Sequence, residues 1–121
     1  MSSLNEFLEQ KRAAWRDLQA RPAEALAPVE LTARVRAEGR SGVRRIRIRD
    51  FQIVADSGKG MAGHDLGPSS PESQLGVLAS CITHTFLIQA ADRDIRLDAL
   101  DVSVSATMNP LSSLPGNEHI P

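Results

Sequence analysis

The side chain with the strongest claim to chemistry is Cys81, the single cysteine among 121 residues, set in the middle of an apolar stretch. A lone cysteine closes no intrachain disulfide and builds no cysteine-based metal site, so it is either a small core residue or a nucleophile. The nucleophile reading needs a cation close to the sulfur to favour thiolate. Candidates lie between Arg34 and Arg49, where seven arginines (Arg34, Arg36, Arg40, Arg44, Arg45, Arg47 and Arg49) face one acid, Glu38. The stretch from Asp92 to Asp101 leans the other way, with four aspartates and two arginines. His84 follows Cys81 by three positions on the same helical side, which admits a thiolate–imidazolium pair or, more plainly, a histidine hydrogen-bonded within the helix. His64 and Asp65 could ligate a metal, but without a third ligand nearby a solvated loop is the simpler account, and no metal or cofactor is expected. Gly58-Lys59-Gly60-Met61-Ala62-Gly63 has the GxGxxG spacing of a dinucleotide loop. That spacing is weak here, because the next helix opens only near Ser70, too late for its amides to meet a phosphate.

These residues need a scaffold, and length and composition limit its type. A chain of this size is one domain, and 41% hydrophobic with 24% charged residues is globular composition, which excludes disordered and fibrous classes. The longest apolar run falls short of the roughly 20 residues of a membrane span, and no basic segment leads into an apolar signal core, so the expected location is cytoplasmic, with no membrane partner. A net charge of -1 names no partner by itself.

The element that positions the thiol is an apolar helix between Gly67 and Ala91. Ser70 is the expected cap, Pro71 suits the first helical position, and Glu72 opposes the positive end of the dipole. Leu75, Val77, Leu78, Ala79, Cys81, Ile82, Phe86, Leu87 and Ile88 fall on nearly every side, so this helix is expected to be the core. Asp94 is the candidate left-handed terminator, with a strand following at once. Upstream, Ser3 and Glu6 form a capping-box pattern, and Leu4, Phe7, Leu8, Ala14, Trp15 and Leu18 recur at helical spacing. Residues 1–27 thus read as an amphipathic arm packed through Trp15, and residues 28–121 as the main domain.

Period-two alternation from Val29 to Ala37 predicts a strand, Glu38 to Gly42 a hairpin turn, and Val43 to Arg49 the return strand. The apolar positions then change parity, to Phe51, Ile53 and Ala55, which requires a bulge or a new strand near Phe51. Leu100, Val102, Val104, Ala106 and Met108 alternate with Asp101, Ser103, Ser105 and Thr107, and predict a further strand. Asn109 to Pro121 carries three prolines and no strand pattern.

Gly67-Pro68-Ser69-Ser70-Pro71-Glu72, Leu75, Leu78-Ala79-Ser80-Cys81, Ala90-Ala91, Leu97 and Leu100-Asp101-Val102 together resemble the central segment of the OsmC/Ohr family of thiol-dependent hydroperoxide reductases. The resemblance spans roughly Val29 to Met108 in element order. It implies an α+β fold in which antiparallel strands wrap a central cysteine-bearing helix in an intertwined homodimer, with active sites at the subunit interface. Cys81 matches the peroxidatic cysteine, Gly39-Arg40-Ser41-Gly42 the turn that carries the catalytic arginine, and Glu72 the glutamate that holds it. The chemistry suits those types: a guanidinium favours thiolate, a carboxylate fixes the guanidinium by a bidentate contact, and the thiolate attacks the peroxide O–O bond to become a sulfenic acid. The Pro-Glu step sits one residue nearer the cysteine than in the hydroperoxidase branch, a register closer to the OsmC-like branch. The family's second half, with its resolving cysteine, has no counterpart after Met108, so the expectation is either a fragment or a protein that uses an external thiol reductant.

Three functions follow as expectations. The first is a peroxidase reducing organic hydroperoxides in an oxidative-stress response, with Cys81 as nucleophile, Arg40 as activator and Glu72 as positioner. The second is a non-catalytic OsmC-like dimeric ligand-binding or stress-response module. The third, a nucleic-acid binder using Arg34 to Arg49, ranks last: alternating arginines on an outer strand face are ordinarily solvated or acid-paired, and aromatic stacking residues are missing, so no nucleic-acid partner is expected.

Overall fold

A computed structural model describes residues 3–110 and 115–116, and the rest of the proline-bearing tail lies outside the described residues. The fold is α+β: helix α1 (Ser3–Ala20), a three-stranded antiparallel sheet of β1 (Arg34–Ala37), β2 (Arg44–Ile48) and β3 (Phe51–Ala55), and helix α2 (Ser70–Asp92). The strands follow one another in space as in sequence, joined by two hairpins.

The first hairpin closes where the glycines predict, with Gly42 at φ 72 and its amide donating to the Glu38 carbonyl at 2.9 Å. The parity change after Arg49 proves to be a new strand. Ile48 pairs with Phe51 across a two-residue turn, and Arg49 adopts a left-handed φ of 53 to make it. β1 is shorter than the alternation suggests, starting at Arg34 and not at Val29. Arg34 pairs with Arg47, so residues before Arg34 run past the point where β2 turns away, and with no ladder to join they form no strand. Val29 and Leu31 are accordingly 79% and 89% exposed.

The N-cap of α2 lies one residue earlier than predicted. Ser69 is the N-cap, its hydroxyl accepting from the Glu72 amide at 3.3 Å while the Glu72 carboxylate accepts from the Ser69 amide at 2.9 Å, a closed capping box with Pro71 just inside. The far end stops at Asp94, whose φ of 55 is the left-handed terminator expected there. Ile95 N–H donates to Ala90 C=O at 2.9 Å and Asp94 N–H to Ala91 C=O at 3.4 Å, the paired bonds of a Schellman ending with aspartate in the place usually held by glycine.

The core is small and lies at that end. Leu8 of α1 packs on Ala90 and Ala91 of α2, with Leu4, Leu87 and Leu97 half-buried around them. Polar groups frame it. Arg12 donates to the Ala91 carbonyl at 2.8 Å and pairs with Asp94 at 2.7 Å; Arg16 pairs with Asp92 at 2.7 Å and donates to its carbonyl at 2.8 Å. Two arginines of α1 thus satisfy the last carbonyls of α2 and offset the negative end of its dipole. Trp15 joins through its indole N–H, which donates to Asp92 at 3.0 Å, so the arm is held by Leu8 and by polar contacts more than by tryptophan packing.

Two expectations fail in the single chain. The helix predicted to be the core is buried only at Ala90 and Ala91, while Val77, Leu78 and Phe86 are 65%, 49% and 55% exposed, because α1 covers its last turns and the sheet makes no comparable contact along the rest. Residues 100–108 form no strand, since the sheet ends at β1 and β3 and offers them no ladder. Their burial still alternates, with Leu100, Val102 and Val104 half-buried and Asp101, Ser103 and Ser105 exposed. At 23 residues, about 35 Å, α2 is also long and apolar enough to cross a membrane by length and composition, which the reading of apolar runs alone did not anticipate.

Candidate functional site

Cys81 is exposed on α2 and lines an open apolar cleft of about 550 Å³ with Ile46, Ser73, Gln74, Val77 and Leu78. Helical spacing creates its helix wall: residues 70, 73, 74, 77, 78 and 81 form one stripe at intervals of three and four. The opposite wall is one side chain of β2. Ile46 shares the apolar face of the sheet with Val35 and Ile53, its partners in the adjoining strands, so this face is turned towards the thiol.

The predicted trio does not assemble within one chain. Glu72 closes the capping box, and its carboxyl is held below the usual carboxylate range by the Ser69 amide and hydroxyl. Nine residues separate it from Cys81, about two and a half turns and roughly 14 Å of rise, which places the two on opposite sides of the helix. Arg40 stands exposed in the β1–β2 turn, and among the described residues no hydrogen bond or ion pair joins it to Cys81 or Glu72. His84 is exposed on α2 and makes no such contact with the sulfur either.

Another arginine lies closer to the site by register. Arg44 is two residues from Ile46 on the same strand and so on the same face, and its guanidinium donates to the Gly42 carbonyl and the Ser57 hydroxyl, each at 3.2 Å. Alternation would have found it, since Arg44 shares parity with Ile46 and Ile48.

A second residue missed by sequence reasoning organises the loop between β3 and α2. Asp56, 1% exposed, accepts from the amides of Ser57 at 2.7 Å, His64 at 3.1 Å and Leu66 at 3.1 Å, and its carboxyl is held below the usual range by those bonds. The available signal was an aspartate at the head of a glycine-rich loop, the position from which it bonds backbone amides. The glycine motif is thereby accounted for. Met61 and Gly63 amides donate to Gly58 C=O, Ala62 to Lys59 and Asp65 to Ser57, so the second half of the motif is spent on the turns of the loop itself. Gly63 is required by contact, as a Cβ there would run into the Ser57 carbonyl.

Comparison with models of known protein families, with curated proteins and with solved structures finds no match in any of the three. The family likeness therefore stands on the residue pattern alone.

Proposed function

We propose that this chain is a thiol-dependent peroxidase of the OsmC/Ohr type, acting on organic hydroperoxides as a cytoplasmic homodimer. The observation that carries the reading is the exposed Cys81 sulfur in an apolar cleft, of a size that accepts a small ligand with a hydrocarbon tail. The Cys81 thiolate attacks the distal peroxide oxygen, an S–O bond forms as the O–O bond breaks, and the departing alkoxide takes a proton to leave as alcohol. Sulfur is oxidised by two electrons. One external thiol then forms a mixed disulfide with loss of water, and a second releases Cys81 and leaves as a disulfide. The guanidinium that favours thiolate comes from Arg40 of a second chain or from Arg44 of the same face, because Arg40 and Cys81 do not meet within one chain.

A second copy also accounts for the uncovered stripe of α2, which matches strands from two subunits wrapping paired helices. Gln74, His84 and Gln89 interrupt the helix surface, which suits a protein partner better than lipid. The test is consumption of tert-butyl hydroperoxide with excess dithiothreitol. Turnover is expected in the native chain, none in Cys81→Ser, and a loss of tenfold or more in Arg40→Ala or Arg44→Ala. Equal consumption by the native chain and Cys81→Ser rejects the peroxidase. One observation favours the non-catalytic ligand-binding module instead: no cation or base lines the cleft with Cys81 among the described residues. That reading is correct if hydroperoxide is untouched while an apolar probe still binds the cleft.

A further inference from the structure

The other face of the sheet carries four arginines. Arg34 stands opposite Arg47 and Arg36 opposite Arg45, and because cross-strand partners and alternate residues share a face, all four guanidiniums project from the same side. They line an open groove of about 810 Å³ along β1, with Glu38 at one end. Like charges directly opposite one another oppose pairing of the strands, and the hairpin carries two such pairs in succession. Only Arg45 has an acidic partner among the described residues: Glu38 accepts from it at 3.0 and 2.8 Å, and the Glu38 carboxyl is held below its usual range by this contact. Four guanidiniums against one carboxylate leave three positive charges uncompensated in one groove. The solvated or acid-paired face expected from the sequence is thus acid-paired at one position of four.

We infer that this groove is a binding site for the phosphate backbone of nucleic acid, read without base recognition. The charges are all arginine, whose planar fork engages phosphate oxygens bidentately and is weakly hydrated. A groove along a strand suits a linear polyanion better than a flat anionic surface would. Neither β1 nor β2 contains an aromatic residue to stack on a base, so a duplex satisfies the site as well as a single strand. The site is independent of the peroxidase reading, because the apolar face with Ile46 is the one turned to α2, and any partner that covers that face leaves the arginines outside.

The experiment is fluorescence anisotropy of a labelled random-sequence DNA duplex titrated with the full chain at several salt concentrations. Binding is expected in the micromolar range at low salt, with log Kd rising against log salt at a slope of about 3, roughly 0.9 for each of three phosphate contacts. Arg34→Gln/Arg36→Gln/Arg47→Gln should weaken it by about tenfold or more, while Lys59→Gln/Arg93→Gln/Arg96→Gln removes the same charge elsewhere and should leave most of it. Should the triple variant lose its far-UV circular dichroism, Arg34→Gln and Arg47→Gln singly are each expected to lower the slope by about 1. An equal loss in the charge-matched control overturns the site, as does a slope below about 1. Tighter binding of polyglutamate, or of phosphatidylserine vesicles, than of the duplex also overturns it and assigns the groove to an acidic peptide or a membrane surface.

Discussion

The two ends of α2 both carry apolar residues and meet different fates. At the C-terminal end, Ala90 and Ala91 are closed over by Leu8 and framed by Arg12, Trp15 and Arg16, whereas Val77, Leu78 and Phe86 remain open to solvent. Apolarity states a need for cover; a second layer has to meet it. α1 is that layer for about two turns, and the stretch that bears Cys81 is covered only in part, with Leu75, Ala79 and Ile82 half-buried and Ile46 across the cleft. The contrast separates a stability element from a candidate site: the closed end holds the helix, and the open end presents the thiol and the stripe on which a partner would sit.

The largest expected effect comes from opening the closed end. Leu8→Ala removes the one large side chain buried there and should cost about 2–5 kcal/mol in denaturant unfolding, a large share of what a domain of this size commands. A cost below about 1 kcal/mol would mean that α1 docks through its polar contacts alone. The open end should respond in the opposite manner. Val77→Asp is predicted to change the stability of the isolated chain by no more than about 0.5 kcal/mol, since the side chain is exposed, yet to shift sedimentation from the proposed dimer to monomer. Unchanged sedimentation would remove the stripe from the proposed dimer interface.

Smaller effects sharpen the comparison at the helix termini. Ser69→Ala breaks the capping box and should cost about 1 kcal/mol, with fraying confined to the first turn and slower hydrogen exchange kept near Ala90. The smallest effect is a pH dependence at Asp92, whose carboxyl is held below its ordinary value by Arg16 and by the Trp15 indole. A depressed carboxylate contributes stability that is fully present above the unfolded value near 3.9 and is lost as pH falls through the lower folded value. Thermal midpoints of the native chain and Asp92→Asn should therefore differ above the unfolded value and converge as pH falls well below it. A gap that persists at the acid end would assign the effect to packing.

What could be read from the residues was local. The hairpin at Glu38 to Gly42, the break in parity near Phe51, the proline-marked start of α2 and its left-handed stop at Asp94 each depend on φ preferences and caps within a few positions, and the chain shows all of them, the break resolved as a new strand and the cap of α2 shifted by a single residue. Leu100 to Met108 shows the limit. Its alternation is written in the sequence and persists in its burial as far as Val104, but a strand exists only when a neighbouring backbone supplies hydrogen bonds, and no periodicity reports whether one is there. The same holds for the site. Cys81, Arg40 and Glu72 are residue types suited to one another, yet contact between them depends on the helix phase and on which chain faces which. Helix phase and capping turn Glu72 away to Ser69, strand register places Arg44 on the face of Ile46, and three loop amides converge on Asp56. Short-range sterics fix the elements because they act between neighbours in the chain; cover, charge pairing and approach to the sulfur act between residues far apart in it, and only the packed structure brings those into range.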